Sequence, residues 1–433
     1  MEQMLFSLAI ALFAGLLLSR LAKLAKLPAV TAFLVAGIIV GPFCLGAFDV
    51  QGLGFTEIDM VSKKYSIISD VALGFIAFSI GNEFRMKELK HIGKKATIIG
   101  IFQAVFTTLV VDAVLIGLHF IIPEYFPLEA AIILGAVASA TAPAATLMVV
   151  KQYKAKGPVT STLLPVVALD DAVGLVLFSI SFGIANAISK DASVLSIIVE
   201  PILEVILSIA LGALMGFVFT YIERFFHSRS KRLSVSVAFV FLTVAISNID
   251  FHIGSVHVAF SPLLSCMMLG TVFCNICDFS AELMDRLDRW TGPIYILFFV
   301  LSGAELELTV FTDGIVILIG LTYIVFRCAG KYFGANISAN IAHAEPNVKK
   351  YLGITLFPQA GVALGMALKA STFGGEVGRM VTNITLFSVL IYELVGPFLT
   401  KISLQKAGEI DPEGQVSHRI KHHDRHKHGD KIM

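Results

Sequence analysis

Apolar stretches long enough to cross a lipid bilayer recur along the whole chain. One helical crossing needs roughly 17 to 25 mainly apolar residues. Only 15% of the 433 residues are charged, against about 25% in soluble proteins. The sequence therefore predicts an all-α polytopic membrane protein with thirteen transmembrane helices. The predicted spans are 4–19, 28–46, 65–82, 97–122, 128–150, 161–187, 193–222, 233–249, 255–275, 291–304, 310–333, 351–371 and 379–400.

The basic residues of the loops predict how these spans are oriented. Lysine and arginine collect in short cytoplasmic loops. Loops after even-numbered spans contain few of them, with Lys63, Lys64 and Lys190 as exceptions. We therefore expect a plasma-membrane protein with its N-terminus outside and its C-terminus in the cytoplasm. The loops after odd-numbered spans contain Arg20/Lys23/Lys26, Arg85/Lys87/Lys90/Lys94/Lys95, Lys151/Lys154/Lys156, Arg224/Arg229/Lys231/Arg232, Arg286/Arg289, Lys349/Lys350 and Lys401/Lys406.

A short internal repeat links the two halves of the chain. Residues 78–84 at the end of span 3 resemble residues 300–306 at the end of span 10, with Gly81 matching Gly303. Span 3 runs inward and span 10 outward, so the copies have opposite orientations. Inverted repeats are typical of secondary transporters, whose site lies near the midplane between broken helices. The simpler alternative is that the pattern Gly-x-Glu is common where a helix leaves the membrane, so that this single match does not reflect a repeat.

Two spans contain a proline in corresponding positions of the two halves. Pro143 follows Thr141 in span 5, and Pro358 precedes Gln359 in span 12. Proline removes a backbone donor and clashes with the carbonyl four residues back, and the freed carbonyls need protein or a water-filled cavity around them. The pattern predicts two crossing broken helices that form a binding site, with ordinary packing kinks as the alternative.

Asp170 and Asp171 are adjacent carboxylates inside span 6. One ionised carboxylate at this depth costs at least a few kcal/mol, and a neighbouring like charge adds to that cost unless a proton or a cation binds. Consecutive helical residues point roughly 100° apart. We therefore expect one carboxylate to face a central cavity and the other to meet a partner from a neighbouring helix.

Span 11 supplies two bases on one helical face, Arg327 and Lys331. Lys331 lies near the predicted cytoplasmic end, where a lysine can extend to the headgroups. Arg327 lies deeper and does not lose its proton, so it needs a buried anion or water. We therefore predict Arg327 as the partner of the acidic pair.

Taken in order, these residues resemble the monovalent cation/proton antiporter superfamily, in its second bacterial branch of Asp-Asp type. The resemblance covers residues 4 to about 404. The similar segments are 27–42, 141–143, 169–171, 297–303, 357–364 and 396–397.

The resemblance implies two parts within residues 1–404, a moving core and a scaffold. A core near 65–187 and 291–400 would carry the site as an elevator against a scaffold and homodimer interface near 4–46 and 193–275. Residues 405–433, which include five of the eleven histidines, would form a disordered cytoplasmic tail.

The resemblance also implies roles for site residues. Asp171 would bind the transported Na⁺, Asp170 would take part in proton exchange, and Thr141 would supply a further oxygen ligand. Electrogenic relatives have a lysine where this chain has Arg327, whereas electroneutral relatives have arginine but usually asparagine in place of Asp170. Both stoichiometries stay open, and the Asp-Asp pair favours the electrogenic one.

The sequence thus predicts a transporter that exchanges Na⁺, or Li⁺, for H⁺, without enzymatic activity or a cofactor. A K⁺/H⁺ antiporter of the same fold is the alternative. An intramembrane aspartyl hydrolase is disfavoured because it needs aspartates on different helices, and a channel because no repeated selectivity filter is present. With 33 basic and 32 acidic residues, the chain lacks the net positive charge of a nucleic-acid-binding protein.

Overall fold

A computed structural model describes residues 2–24, 29–48, 55, 65–142, 146, 149–150, 153–189, 194–249, 251–253, 256–258, 260–306 and 314–410. Within these ranges the chain forms fourteen α-helices, one 3₁₀ turn at Leu45–Phe48 and one antiparallel pair of three-residue strands, β1 (Phe251–Ile253) and β2 (Val256–Val258). The helices are α1 (Glu2–Leu24), α2 (Ala29–Val40), α3 (Ser66–Glu83), α4 (Met86–Ile121), α5 (Leu128–Val137), α6 (Pro158–Ser189), α7 (Val194–Glu223), α8 (Arg229–Ser247), α9 (Pro262–Ile276), α10 (Ser280–Ala304), α11 (Gly314–Ile341), α12 (Pro346–Thr355), α13 (Gly361–Ser371) and α14 (Gly375–Lys406).

Eight of the described helices are long and apolar enough to cross a membrane. Four further apolar helices are shorter, and two of these, α5 and α13, belong to the spans that were predicted to break. Large apolar side chains such as Phe13, Phe120 and Phe217 are exposed on the outer surface, as expected where a protein faces lipid. The helical membrane fold is confirmed, and the count of thirteen crossings stays a prediction.

The α2/α10 pair shows what glycines contribute to the packing of the predicted spans. A Cβ atom added at Gly37 would overlap the carbonyl oxygen of Val300, and one added at Gly303 would overlap that of Leu34. Each glycine therefore lets the two backbones touch, as small residues do between membrane helices.

The α3/α9 pair repeats this contact. A Cβ atom at Gly81 would overlap the carbonyl oxygen of Met267, and one at Gly270 would overlap that of Phe78. The spacing of three residues between glycine and contacted carbonyl is the same as in the α2/α10 pair. The resemblance between residues 78–84 and 300–306 thus has a physical basis, because Phe78 and Gly81 occupy the same packing positions as their counterparts.

The C-terminal end of the described chain is more ordered than the sequence suggested. The tail was predicted from residue 405, but α14 continues to Lys406, and Ala407, Glu409 and Ile410 are buried. Residues 411–433, with their histidines, lie outside the described residues.

Substitution of Gly81 or Gly303 by valine is expected to lower the thermal stability of the detergent-purified protein. The colliding atoms are backbone carbonyls that cannot rotate away, so we expect a cost at or above the 1–3 kcal/mol typical of overpacking. Gly117→Val is the matched control, because its added Cβ would meet nothing within 4 Å. Melting curves that place all three variants together would contradict the close helix contacts.

Candidate functional site

The candidate site is built around two interrupted helices. Helix α5 ends at Val137 and residues 138–142 are not helical; α12 ends at Thr355 and residues 356–360 are not helical. The two interruptions touch, since the Ala142 N–H donates to the Pro358 carbonyl at 2.9 Å. Pro143, which was predicted to break the first helix, lies outside the described residues.

Side chains satisfy four consecutive carbonyls at the end of α5. The last carbonyls of a helix have no partner within the helix, and this end is buried. Gln359 Nε2 donates to the Val137 oxygen at 2.9 Å, and Arg327 donates to the oxygens of residues 138 (Nε, 3.0 Å) and 140 (Nη2, 2.7 Å). Lys331 Nζ donates to the carbonyl of Ser139. The end of α5 is therefore capped by α11 and by the second interruption.

Arg327 also joins the two interruptions to each other. Its third contact runs from Nη1 to the Phe357 carbonyl at 2.8 Å, and its guanidinium lies 4.4 Å from the ring centre of Tyr392. The side chain is fully buried. Its observed hydrogen bonds go to carbonyls, so the prediction that Arg327 is the partner of the acidic pair is wrong for Asp170.

Lys331 is the base that binds Asp170. Its Nζ atom lies 2.7 Å from Asp170 Oδ2, and both side chains have no exposed surface. The ammonium group has three protons and finds three acceptors, which are Asp170, the Ser139 carbonyl and Thr141 Oγ1 at 3.0 Å. Lys331 does not extend to the headgroups, because all of its donors are used inside the protein.

Asp170 accepts hydrogen bonds from two helices and from the first interruption. Besides Lys331, the Thr141 hydroxyl donates to Oδ2 and Gln103 Nε2 of α4 donates to Oδ1 at 2.6 Å. Gln103 is fully buried and was not singled out from the sequence. An amide in the otherwise mainly apolar span 4 was the signal that could have identified it.

Asp171 follows Asp170 on α6 and is buried, with an exposed fraction of 2%. It shares a face of α6 with Gly174, one turn further on. A Cβ added at Gly174 would contact the Ser139 hydroxyl and the Met366 methyl group of α13. Asp171 therefore belongs to the side of α6 that faces the first interruption and α13, where the Ser139 hydroxyl lies. Oxygen donors are the ligands that hard cations prefer.

Comparisons with known proteins agree on one family. The family model described as "Sodium/hydrogen exchanger, transmembrane" matches residues 8–406. The structure is similar to that of the sodium proton antiporter MjNhaP1 from Methanocaldococcus jannaschii at pH 8, with a TM-score of 0.72, 18% identity and coverage of 93% of this chain and 100% of that one. A second structure of MjNhaP1, from electron microscopy, gives a TM-score of 0.69 at 17% identity and covers 94% and 98%. No curated protein sequence matches the chain. At these identities the structural likeness shows the fold.

Substitution of Arg327 by methionine is expected to destabilise the protein strongly. Methionine fills much of the same space, but the oxygens of residues 138, 140 and 357 lose charged donors in a buried place, which we expect to cost about 3 kcal/mol or more. Arg379→Met is the control, since Arg379 is exposed. Equal melting temperatures for the two variants would show that the carbonyls of the interruptions do not depend on Arg327.

Proposed function

Because the chain belongs to the sodium/hydrogen exchanger family, we propose that it exchanges Na⁺ for H⁺ across the plasma membrane. The observation that supports this most is the pair of buried carboxylates on α6, placed beside two helix interruptions. A desolvated carboxylate in the membrane binds a proton or a cation more readily than it stays bare. Competition between these two ligands is the chemistry that an antiporter requires.

Asp171 is the residue to which we assign the cargo. Both oxygens of Asp170 already accept hydrogen bonds from Lys331, Thr141 and Gln103. We propose that Asp171, which follows Asp170 in sequence and projects roughly 100° away from it around α6, binds Na⁺ and H⁺ in turn. Thr141 and nearby carbonyls would complete an oxygen ligand set.

We further propose an elevator motion within a homodimer, with the N-terminus outside and the C-terminus in the cytoplasm. The backbone contacts change one boundary of the predicted core. Glycine contacts join α10 to α2 and α3 to α9, and such contacts leave little room for sliding. We therefore assign α3 and α10 to the scaffold and restrict the moving core to α4–α6 and α11–α14, which contain every residue of the candidate site.

The Lys331–Asp170 pair supports an electrogenic cycle. A lysine can give up its proton, whereas an arginine does not. If Na⁺ entry displaces one proton from Asp171 and one from the Lys331–Asp170 pair, two protons exchange for one Na⁺. Each cycle then moves one net charge, which is worth about 2.3 kcal/mol per 100 mV.

Asp171→Asn is expected to abolish exchange. An amide cannot bind a proton reversibly or balance a desolvated cation, and the lost charge interaction of about 3 kcal/mol corresponds to a roughly hundredfold loss. The measurement is the cation-induced pH change in proteoliposomes, with Na⁺, Li⁺ and K⁺ compared in the wild-type protein. Asp285→Asn is the control, since Asp285 is exposed on α10. Sodium-dependent proton flux in Asp171→Asn at the level of this control would exclude Asp171 as the cargo site.

Sodium gradients are expected to drive currents through the wild-type protein on a supported membrane. Arg327→Lys should retain these currents in the protein that inserts, because Arg327 does not bind Asp170. Lys331→Met should lose them, because the second proton site is removed. Wild-type protein that exchanges Na⁺ for H⁺ without any current would show that the cycle is electroneutral.

A further inference from the structure

The N-terminus of α6 is capped by a residue from the other end of the chain. Gly157, which precedes the helix, has no side chain that could accept a hydrogen bond. The Glu409 carboxylate acts as the capping acceptor instead. It accepts hydrogen bonds from the Val159 N–H at 2.6 Å, from the Thr160 N–H at 2.8 Å and from the Thr160 hydroxyl at 2.7 Å. Two of the orphan donors at this end and one hydroxyl are thus satisfied by one carboxylate.

Glu409 is itself held in place by the end of α14. Gly408 adopts a left-handed conformation with φ +75°, which terminates α14 and turns the chain back. The Ala407 carbonyl accepts from Asn347 of α12 at 3.1 Å, and the Glu409 carbonyl accepts from the Lys156 N–H at 3.0 Å. The Glu409 side chain is therefore presented to α6 by a fixed turn, and its exposed fraction is only 6%.

The capped helix is the one that carries both carboxylates of the site. Thr160 and Asp170 are ten residues apart on α6, which corresponds to roughly 15 Å along the helix axis. A negative charge at a helix N-terminus is also favoured by the helix dipole. The contact thus links the C-terminal end of α14 to the helix on which Na⁺ and H⁺ are proposed to compete.

We propose that Glu409 is a positioning residue for the exchange reaction. Its carboxylate fixes the cytoplasmic end of α6 to the turn after α14, and so sets the placement of Asp170 and Asp171. This inference rests on the proposed exchange function. It assigns Glu409 more than the stability of one helix end, because the same cap supplied locally would not restore the link to α14.

Two variants separate a local cap from a link between segments. Glu409→Ala removes both the cap and the link. Gly157→Asp in the Glu409→Ala background returns a local cap of the usual kind; the space is open there, because the group that a Cβ at Gly157 would overlap is the Glu409 side chain. Thermal stability and the apparent Na⁺ affinity of proton exchange are measured for both variants in monodisperse protein reconstituted into liposomes.

We expect Glu409→Ala to weaken the apparent Na⁺ affinity by about fivefold, the lower end of typical coupling between sites. The double variant should regain stability and keep the weakened affinity. Glu345→Gln is the control, since Glu345 is an exposed residue before α12 without a side-chain cap bond, and it should behave as wild type.

Wild-type affinity in either Glu409 variant would overturn the inference. A weakened affinity in the double variant supports it whether or not stability returns, because only correctly folded protein is assayed. If wild-type protein shows no exchange at all, the proposed function fails, which is a different result from wild-type-like exchange in the variants.

Discussion

Backbone carbonyls inside the membrane need hydrogen-bond donors, and the structure of the site follows from how this need is met. Just beyond the end of α5 at Val137, the carbonyls of residues 138, 139 and 140 accept from side chains rather than from the helix backbone, and the hydrocarbon region offers no water to bind them. Gln359, Arg327 and Lys331 supply the donors. The interruption of α5 can therefore exist only where α11 and the second interruption lie beside it. Two features that look separate in the sequence, the broken helices and the bases of α11, are one arrangement.

The same arrangement balances the buried charges. Arg327, Lys331 and Asp170 have no exposed surface and Asp171 almost none, so two basic and two acidic side chains share one buried region. Arg327 donates to backbone carbonyls, whereas Lys331 is the base that binds Asp170. Removing one charged partner from such a group exposes the remaining charges to an apolar surrounding. This group of buried charges is therefore sensitive to the loss of any one of its members.

The sequence predicted the helical membrane fold, both interrupted segments and the two buried aspartates of α6, because each depends on local residue types. It could not distinguish the roles of Arg327 and Lys331, which lie one turn apart on the same face; their roles depend on how far α5 extends, and α5 ends six residues before Pro143. Gln103 and Glu409 were missed for a related reason. Their partners lie 67 and about 250 residues away in the chain. Glu409 also follows the last apolar stretch, in a segment whose composition is that of a solvated tail.

The two kinds of contact in this fold suit two different mechanical tasks. In the α2/α10 and α3/α9 pairs, glycines bring two backbones into direct contact. Such a contact fits in one relative position of the helices, because a shift would make backbone atoms overlap. Around Asp170 the contacts are made by side chains with several acceptors in reach; Lys331 already divides its three protons among a carboxylate, a hydroxyl and a carbonyl. When a cation takes one of these oxygens, Lys331 can keep its other acceptors. These side-chain contacts lie within α4–α6 and α11–α14, the group that we propose moves against the α2/α10 and α3/α9 pairs.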